Sequence, residues 1–214
     1  MALATHVSAL AGAADPRTAA HARCVADLAS AVAEEMGLAG EALREVELAA
    51  LLHDVGKTAI PSEILHKPEA LTPAERAIME SHVIEGQTML MHAEDSLYGI
   101  AQIVRSSHER FDGTGYPDGL AGHEIPLAAR IVFCCDSYDA ITSDRPYRRA
   151  TSQARAMGEL WGGAGNQFDP IVVAATARAL YARRRAGDEQ RLAEADRLRE
   201  VTAPAQIASA RAIS

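Results

Sequence analysis

The sequence predicts an all-α protein, a compact bundle of about seven core helices without significant sheet. Three observations predict this fold class. Aromatic residues make up only 4% of the 214 residues, whereas alanine, the strongest helix former, is very frequent. Apolar residues recur at helical spacing in successive segments, and no segment shows the polar–apolar alternation of a half-buried strand. Hydrophobic residues at 48% and charged residues at 23% are typical of a globular protein.

The first three of four predicted helices have recognisable start or stop signals, and the fourth is predicted from its apolar stripe alone. Asp15-Pro16 begins the first helix, which reaches Gly37, because aspartate caps a helix and proline fits its first position. Gly56 ends the second helix. Thr72-Pro73-Ala74-Glu75 begins the third helix with a capping box. The predicted spans are about 15–37, 41–54, 73–91 and 97–108.

The segment 111–122 interrupts the helical pattern, since its glycines and its proline predict a loop. Three further helices follow that loop. Pro126 begins one helix, Ser152 the next, and Asp169-Pro170 caps the last. Their predicted spans are about 127–142, 152–162 and 170–185.

The chain divides into three predicted parts: a tail over 1–14, a helical domain over 15–185, and a charged helix with a frayed end over 186–214. The N-terminus lacks a signal-peptide pattern, and no apolar run approaches the roughly 18 residues of a membrane span. Three cysteines, two of them adjacent, form neither a zinc motif nor a disulfide framework. We therefore expect a cytoplasmic protein that does not bind membranes.

The charge balance restricts the binding partners. With 21 Lys and Arg against 29 Asp and Glu, the formal net charge is −8. This excess of negative charge argues against a protein that coats duplex DNA. It is compatible with a small phosphate-bearing ligand that a metal or a few local cations would hold.

Six titratable residues lie on, or at the end of, the apolar stripes of five predicted helices. A buried aspartate or an unpaired histidine is costly unless it is hydrogen-bonded, paired or bound to metal. One such histidine is usually a satisfied core residue, and we assign no role to His6, His66, His92 or His123. Helical bundles build metal sites from inward-facing side chains of several helices. The six candidate ligands are His21, His53, Asp54, His82, His108 and Asp136.

The adjacent pair His53-Asp54 predicts a centre with two ions. The imidazole can bind one metal while the carboxylate bridges it to a second, and a shared water can then lose a proton and attack phosphorus as hydroxide. Imidazole and carboxylate without thiolate disfavour structural zinc and suit iron or manganese. We expect two divalent metal ions.

A series of motifs in order along residues 15–181 resembles the HD-GYP family, a branch of the HD-domain metal-dependent phosphohydrolases. That resemblance implies an HD-type helical bundle and a phosphodiesterase of bacterial signalling that converts cyclic di-GMP to pGpG and, in some members, to GMP. A few members prefer a mixed cyclic GMP-AMP dinucleotide. The matching stretches are HDVGK (53–57), IPSEILHKP (60–68), HERFDGTGYPDGL (108–120), ARIVFCCDSYDAIT (129–142), SDRPYRR (143–149) and FDP (168–170).

The resemblance also implies a role for each matched residue. It assigns Lys57 to the substrate phosphate as a catalytic residue beside Asp54, and Arg145 and Arg148 to the phosphate or guanine. Tyr116 lies in the loop that names the family and is a candidate substrate contact. The implied first metal site is His21, His53, Asp54 and Asp136, and the implied second is Asp54, His82 and His108.

Two positions depart from the family pattern. Ser107 stands where most active members carry a further histidine ligand, so we expect a weak second site. Arg17 replaces the glutamate of trinuclear members, so we expect no third ion. Two alternative functions stay open: a phosphohydrolase for another nucleotide, and a catalytically weak module that senses a nucleotide or binds a partner. We expect regulation through expression, a homodimer or a separate regulatory partner.

Overall fold

The computed structural model describes the backbone of residues 16–143 and 150–202, and the side chains of 19–143 and 150–187. The predicted tail over 1–14 lies outside these ranges. Nine α-helices and three short 3-10 helices account for most of the described residues. The α-helices are α1 (Pro16–Glu35), α2 (Gly40–Leu52), α3 (Ser62–Leu65), α4 (Pro73–Glu80), α5 (His82–Ala93), α6 (Tyr98–Arg105), α7 (Leu127–Thr142), α8 (Gln153–Gly162) and α9 (Pro170–Thr202). The 3-10 helices are Val55–Ala59, Asp95–Leu97 and Gly122–Glu124.

The all-α prediction is confirmed. In the described ranges there is no strand. Two isolated β-bridges, Asp112 to Ala121 and Ala164 to Phe168, join residues within loops. No helix among these residues is long and apolar enough to cross a bilayer.

The chain forms two compact units, one ending at Ala179 and one beginning at Leu180. In the first unit α1 packs against α2 and α7, while α5 packs against α6 and the 3-10 helix Val55–Ala59. Fully buried aliphatic side chains, such as Val25, Val46 and Ile131, fill the space between these helices. In the second unit the backbone is helical through Thr202. The predicted domain boundary near 185 stays a prediction.

The predicted second helix, 41–54, extends two residues beyond the C-terminal end of α2 in the structure. Helix α2 stops at Leu52, and His53 and Asp54 form a turn that leads into the 3-10 helix. The reason is a close approach at Gly56, where a Cβ atom would lie 1.9 Å from the carbonyl oxygen of His82. The turn seats the 3-10 helix on α5, so His53 and Asp54 project from a turn rather than from the face of a helix.

Serine side chains accompany two further differences from the predicted helices. The predicted helix 73–91 is two helices, α4 and α5, with Ser81 between them, and its hydroxyl donates to the carbonyl of Ile78 at 2.7 Å. The predicted helix 97–108 ends at Arg105, and the hydroxyl of Ser107 donates to the carbonyl of Val104 at 2.8 Å. Such bonds from serine to its own helix bend or end helices.

The remaining predictions on elements are largely confirmed. The helix 127–142 has the predicted bounds, and the capping box of Thr72 with Glu75 is formed. Ser152 caps α8 by accepting from the amide of Arg155. The short helix α3 was not predicted, because four residues are too few for a periodic pattern. The predicted seventh helix and the charged helix after it are one continuous helix, α9.

Candidate metal centre

The six predicted ligands converge in the first unit, although five separate segments carry them. His21 comes from α1 and Asp136 from α7. His53 and Asp54 form the turn after α2, His82 is the first residue of α5, and His108 lies in the turn after α6. Four of the six ligands therefore lie at or beyond helix ends, where the backbone can aim a side chain across the bundle.

His21, His53 and Asp136 form the first ligand group. Each offers one ligand atom, and these atoms all lie within 4.8 Å of one another. The distance from His21 Nε2 to Asp136 Oδ1 is 3.1 Å, and that from His53 Nε2 to the same oxygen is 3.9 Å. The three side chains can hold one cation between them.

Asp54, His82 and His108 form the second ligand group, also with ligand atoms within 4.8 Å of one another. His82 Nε2 lies 3.6 Å from Asp54 Oδ1. Both of these atoms and His108 Nε2 are buried without a hydrogen-bond partner. Three unpartnered buried polar atoms at one point are costly, and a cation among them would remove that cost.

Asp54 belongs to the second group and also faces the first. Its Oδ1 faces His82, while its Oδ2 lies 3.6 Å from His53 Nε2 and 4.0 Å from His21 Nε2. The two oxygens of one carboxylate thus point toward different histidine sets, which suits a carboxylate that bridges two cations through both oxygens. The donor set of imidazoles and carboxylates, together with the unpartnered atoms, fits divalent transition metals.

Hydrogen bonds fix the orientation of three of the four histidines. His53 Nδ1 donates to the carbonyl of Ala50, and His82 Nδ1 donates to that of Met79, both at 2.7 Å. His21 Nδ1 donates to Asp139 Oδ2 at 2.6 Å. Each bond leaves Nε2 directed at the ligand group, which is how proteins orient metal-binding imidazoles.

Asp139 is a site residue that the sequence analysis did not identify. It lies three residues after Asp136 on the same side of α7, and that spacing was the available signal. Its second oxygen accepts from the hydroxyl of Ser143 at 3.2 Å. Asp139 therefore supports the centre through His21.

The two acidic ligands are ionised despite their burial. Burial alone would raise the pKa of Asp54, but nearby His53, Lys57 and His82 hold it well below its usual range. Burial likewise opposes ionisation of Asp136, and the hydrogen bond from His21 outweighs it and lowers the pKa. Two negative charges are thus available to a cation.

The histidines differ in protonation in the metal-free chain. Burial lowers the pKa of His21, but hydrogen bonds to Asp136 and Asp139 outweigh it and raise the pKa to about 9. Burial lowers the pKa of His108 to about 3 and also lowers that of His82. His108 and His82 are therefore neutral ligands at pH 7, whereas His21 carries a proton that a cation would replace.

The sequence matches the HD domain family over residues 6–172. The chain belongs to the HD-domain family. Enzymes of that family that cleave phosphate esters depend on metals, which agrees with the two ligand groups described above. In this HD domain the candidate metal ligands come from α1, α5, α7 and the turns after α2 and α6.

Similar HD-domain proteins include named cyclic-dinucleotide phosphodiesterases. The cyclic di-GMP phosphodiesterase response regulator RpfG of Xanthomonas campestris is 42% identical over 165 residues, which is 77% of this chain and 44% of that protein. A cyclic di-GMP phosphodiesterase of Thermotoga maritima is 40% identical over 75% of this chain and 44% of its own length. The chain thus spans less than half the length of these relatives. They confirm the resemblance to the HD-GYP branch.

Two solved structures share the fold of this HD domain. An HDG"Y"P protein from Bdellovibrio bacteriovorus has a TM-score of 0.62 at 22% identity, covering 75% of this chain and 51% of its own. The HD domain of the Listeria monocytogenes phosphodiesterase PgpH has a TM-score of 0.59 at 18% identity, covering 84% of this chain and 97% of its own. At these identities the likeness concerns the fold alone.

The predicted substrate residues of the HD domain fall in different places. Lys57 Nζ donates to Asp54 Oδ2 at 2.6 Å, so this ammonium lies at the Asp54 oxygen that faces the first ligand group. Tyr116 stacks on the ring of His108. Arg145 and Arg148 lie outside the described residues, as does the side chain of Arg17.

Proposed function

We propose that this chain is a metal-dependent phosphodiesterase that hydrolyses a cyclic dinucleotide, cyclic di-GMP to pGpG with GMP as a further product. The observation that carries this proposal is the position of Asp54, whose two oxygens face two separate ligand groups. Paired cations at such a carboxylate suit in-line attack on a phosphodiester. The names of the relatives, cyclic di-GMP and 3'3'-cGAMP phosphodiesterases, support the substrate class.

The proposal includes two divalent ions, iron or manganese. His21, His53, Asp54 and Asp136 would hold the first, and Asp54, His82 and His108 would hold the second. When bound, the ions would supply an activated water and neutralise phosphate charge. The absence of cysteine from both ligand groups supports iron or manganese rather than structural zinc.

We propose that the second site binds its ion more weakly than the first. Ser107 is buried, and its hydroxyl donates to the carbonyl of Val104. A neutral hydroxyl in that bond is a poor ligand for a transition metal. The second group then has one carboxylate oxygen and two imidazoles, and solvent or substrate would complete the coordination.

Lys57 would act on the substrate. Its side chain is 32% exposed, while its ammonium reaches the buried carboxylate of Asp54. A cation at that place can stabilise the negative charge that develops on the non-bridging phosphate oxygens. Arg145, Arg148 and Tyr116 would bind the phosphate and the bases of the dinucleotide.

A direct assay tests the proposal. The chain is loaded with Mn²⁺, or with Fe²⁺ without oxygen, and incubated separately with cyclic di-GMP and 3'3'-cGAMP. We expect linear products from at least one dinucleotide, and Asp54→Ala should abolish turnover together with metal binding. Asp95→Ala, which removes an exposed carboxylate, is the matched control. Intact dinucleotides after incubation with the fully loaded chain would contradict the proposal.

A second candidate function is a catalytically weak module that binds the nucleotide, and Ser107 favours it. His53 and His82 both donate Nδ1 to the carbonyl three residues earlier, and the hydroxyl of Ser107 makes the same kind of bond. A histidine at 107 could therefore direct its Nε2 toward the second group. If Ser107→His raises turnover from almost none, the natural chain is the binding module. If the natural chain already turns over, it is the enzyme.

A third outcome of the assay is hydrolysis of another nucleotide or phosphoester with both dinucleotides left intact. It would keep the metal chemistry and change the substrate.

The cytoplasmic location and the homodimer or regulatory partner expected from the sequence stay predictions.

A further inference from the structure

We propose that Tyr116 is a positioning residue, whose ring holds the imidazole of His108 in the orientation of a metal ligand. The proposal rests on the metal centre of the proposed function. It assigns to the aromatic ring of Tyr116 a role that is distinct from substrate contact through its hydroxyl.

His108 differs from the other three histidines in how it is held. His21, His53 and His82 each have an Nδ1 hydrogen bond to a carboxylate or a carbonyl. Among the described residues no hydrogen bond reaches the ring of His108, and its Nε2 is buried without a partner. Without another constraint, the imidazole could rotate about two side-chain bonds and leave the second group.

Aromatic rings supply that constraint. The ring of Tyr116 is stacked on His108 with a centroid distance of 5.2 Å and an interplanar angle of only 9°. His82 contacts it edge-on at 4.9 Å and Phe133 at 6.0 Å. A parallel ring blocks rotation of the imidazole out of its plane, which edge contacts alone do not.

The loop that carries Tyr116 is itself fixed to the segment of His108. The amide of Tyr116 donates to the carbonyl of His108 at 3.3 Å. Gly115 lies so close to residues 109–110 that a Cβ atom would be 2.3 Å from the amide nitrogen of Arg110. The ring is thus attached, through a backbone bond and a close approach, to the residue that it orients.

The far side of the loop is held as well. The buried Glu109 accepts with Oε1 from the amides of Asp118 at 2.7 Å and Gly119 at 3.0 Å. Asp118 also forms a bidentate ion pair with Arg105 at the end of α6. These bonds hold both sides of the loop, so Tyr116 has a fixed position before any metal or substrate binds.

The test measures Mn²⁺ binding to the full chain by titration calorimetry, without nucleotide. Groups that orient a metal ligand typically change affinity 10- to 100-fold. We expect Tyr116→Leu to weaken the second Mn²⁺ site about 10-fold or more and to leave the first site unchanged. Tyr116→Phe keeps the ring and should bind Mn²⁺ within about 2-fold of the natural chain.

Three further variants make the result unambiguous. His108→Ala gives the affinity that remains when the ligand itself is lost. Tyr98→Leu removes a tyrosine that is 59% exposed on α6 and is the matched control. Gly115→Ala should displace the loop and weaken the second site like Tyr116→Leu, because its Cβ cannot fit beside Arg110. Circular dichroism checks that each variant is folded.

The proposal is overturned if folded Tyr116→Leu and Gly115→Ala both bind Mn²⁺ at both sites as the natural chain does, or if the natural chain binds no second Mn²⁺. A loss of turnover in Tyr116→Phe with full metal binding would assign the hydroxyl to substrate and leave the role of the ring intact. If no dinucleotide is hydrolysed but the metal affinities change as expected, the proposed function fails and this inference stands.

Discussion

At the scale of single residues, positive charge around Asp54 offsets the cost of burying it. The side chain is almost entirely buried, and its Oδ2 lies 2.6 Å from the ammonium of Lys57 and 4.0 Å from Nε2 of the protonated His21. In the metal-free chain, the lysine ammonium and the proton on His21 supply the charge that cations would supply. Lys57 therefore contacts the candidate metal ligand Asp54 and also lies where the substrate phosphate is expected to bind.

Replacing Lys57 by methionine separates these two roles. We expect Lys57→Met to lower kcat by about 100-fold, the scale for losing one stabiliser of transition-state charge. Mn²⁺ binding should be unchanged or tighter, since a cation that competes for Asp54 is gone. Parallel kinetics and calorimetry measure both quantities. Loss of Mn²⁺ binding in this variant would show that Lys57 is needed for the structure of the metal centre and would contradict its assignment to the substrate alone.

Asp139 supports the first ligand group in a different way. Its carboxylate accepts from Nδ1 of His21, so Asp139→Asn should weaken the first Mn²⁺ site about 10- to 100-fold, the range for such partners of metal-bound histidines. The second site should keep its affinity, as titration of both sites would show. Weakening of both sites equally would mean that the substitution disturbs the bundle instead.

The sequence predicted six residues that the structure brings together, because polar groups on apolar helix stripes are rare and costly. The same reasoning did not distinguish Asp139, which lies on one side of α7 with Asp136 but supports the ligand His21 instead of belonging to a ligand group. The sequence also did not predict the stacking of Tyr116 on His108, because loop residues have no periodicity from which a contact can be predicted.

At the scale of elements, the contact between the 3-10 helix Val55–Ala59 and α5 sets the distance from Asp54 to His82. Gly56 permits it, because any side chain there would meet the backbone of His82 and Gly86. Asp54 and His82 can therefore come close together only because residue 56 is a glycine.

Gly56→Ala should separate these elements. We expect a loss of about 1–3 kcal/mol in the free energy of unfolding, as for overpacked cores, together with a weaker second Mn²⁺ site. Gly158→Ala is the matched control, since Gly158 lies in α8 with nothing within 4 Å of an added Cβ. That change should be stabilising by about 0.5–1 kcal/mol. Denaturant unfolding measures both, and equal effects would refute the role of Gly56.

Helix bounds were predictable where a capping residue stands at the end, as at Thr72 and Ser152. They were wrong where tertiary contact decides the end. Gly56 meets α5 only in the folded chain, and the helix therefore stops at Leu52 rather than near 54. The site depends on that difference, because the turn gives His53 and Asp54 their directions.

At the scale of the whole molecule, the centre connects segments that are far apart along the chain. His21 and Asp136 belong to α1 and α7, and the other ligands come from three segments between them. A cation can find this set only in the folded chain, so metal binding should stabilise the native state by mass action.

Mn²⁺ at 100 times its dissociation constant should add about 2.7 kcal/mol to the stability. For a protein of this length, that amounts to a rise of about 5–10 °C in Tm. Differential scanning fluorimetry with Mn²⁺, and again after chelation, measures the shift. Asp54→Ala should show none, and an equal rise in that variant would place the stabilising ion elsewhere.

The most direct test of the metal centre is a crystal structure of the metal-loaded chain with anomalous scattering at the iron and manganese edges. We expect one strong peak among His21, His53, Asp54 and Asp136, and a second, weaker peak among Asp54, His82 and His108. Anomalous peaks that avoid these side chains, or a loaded crystal with no peak touching Asp54, would contradict the account.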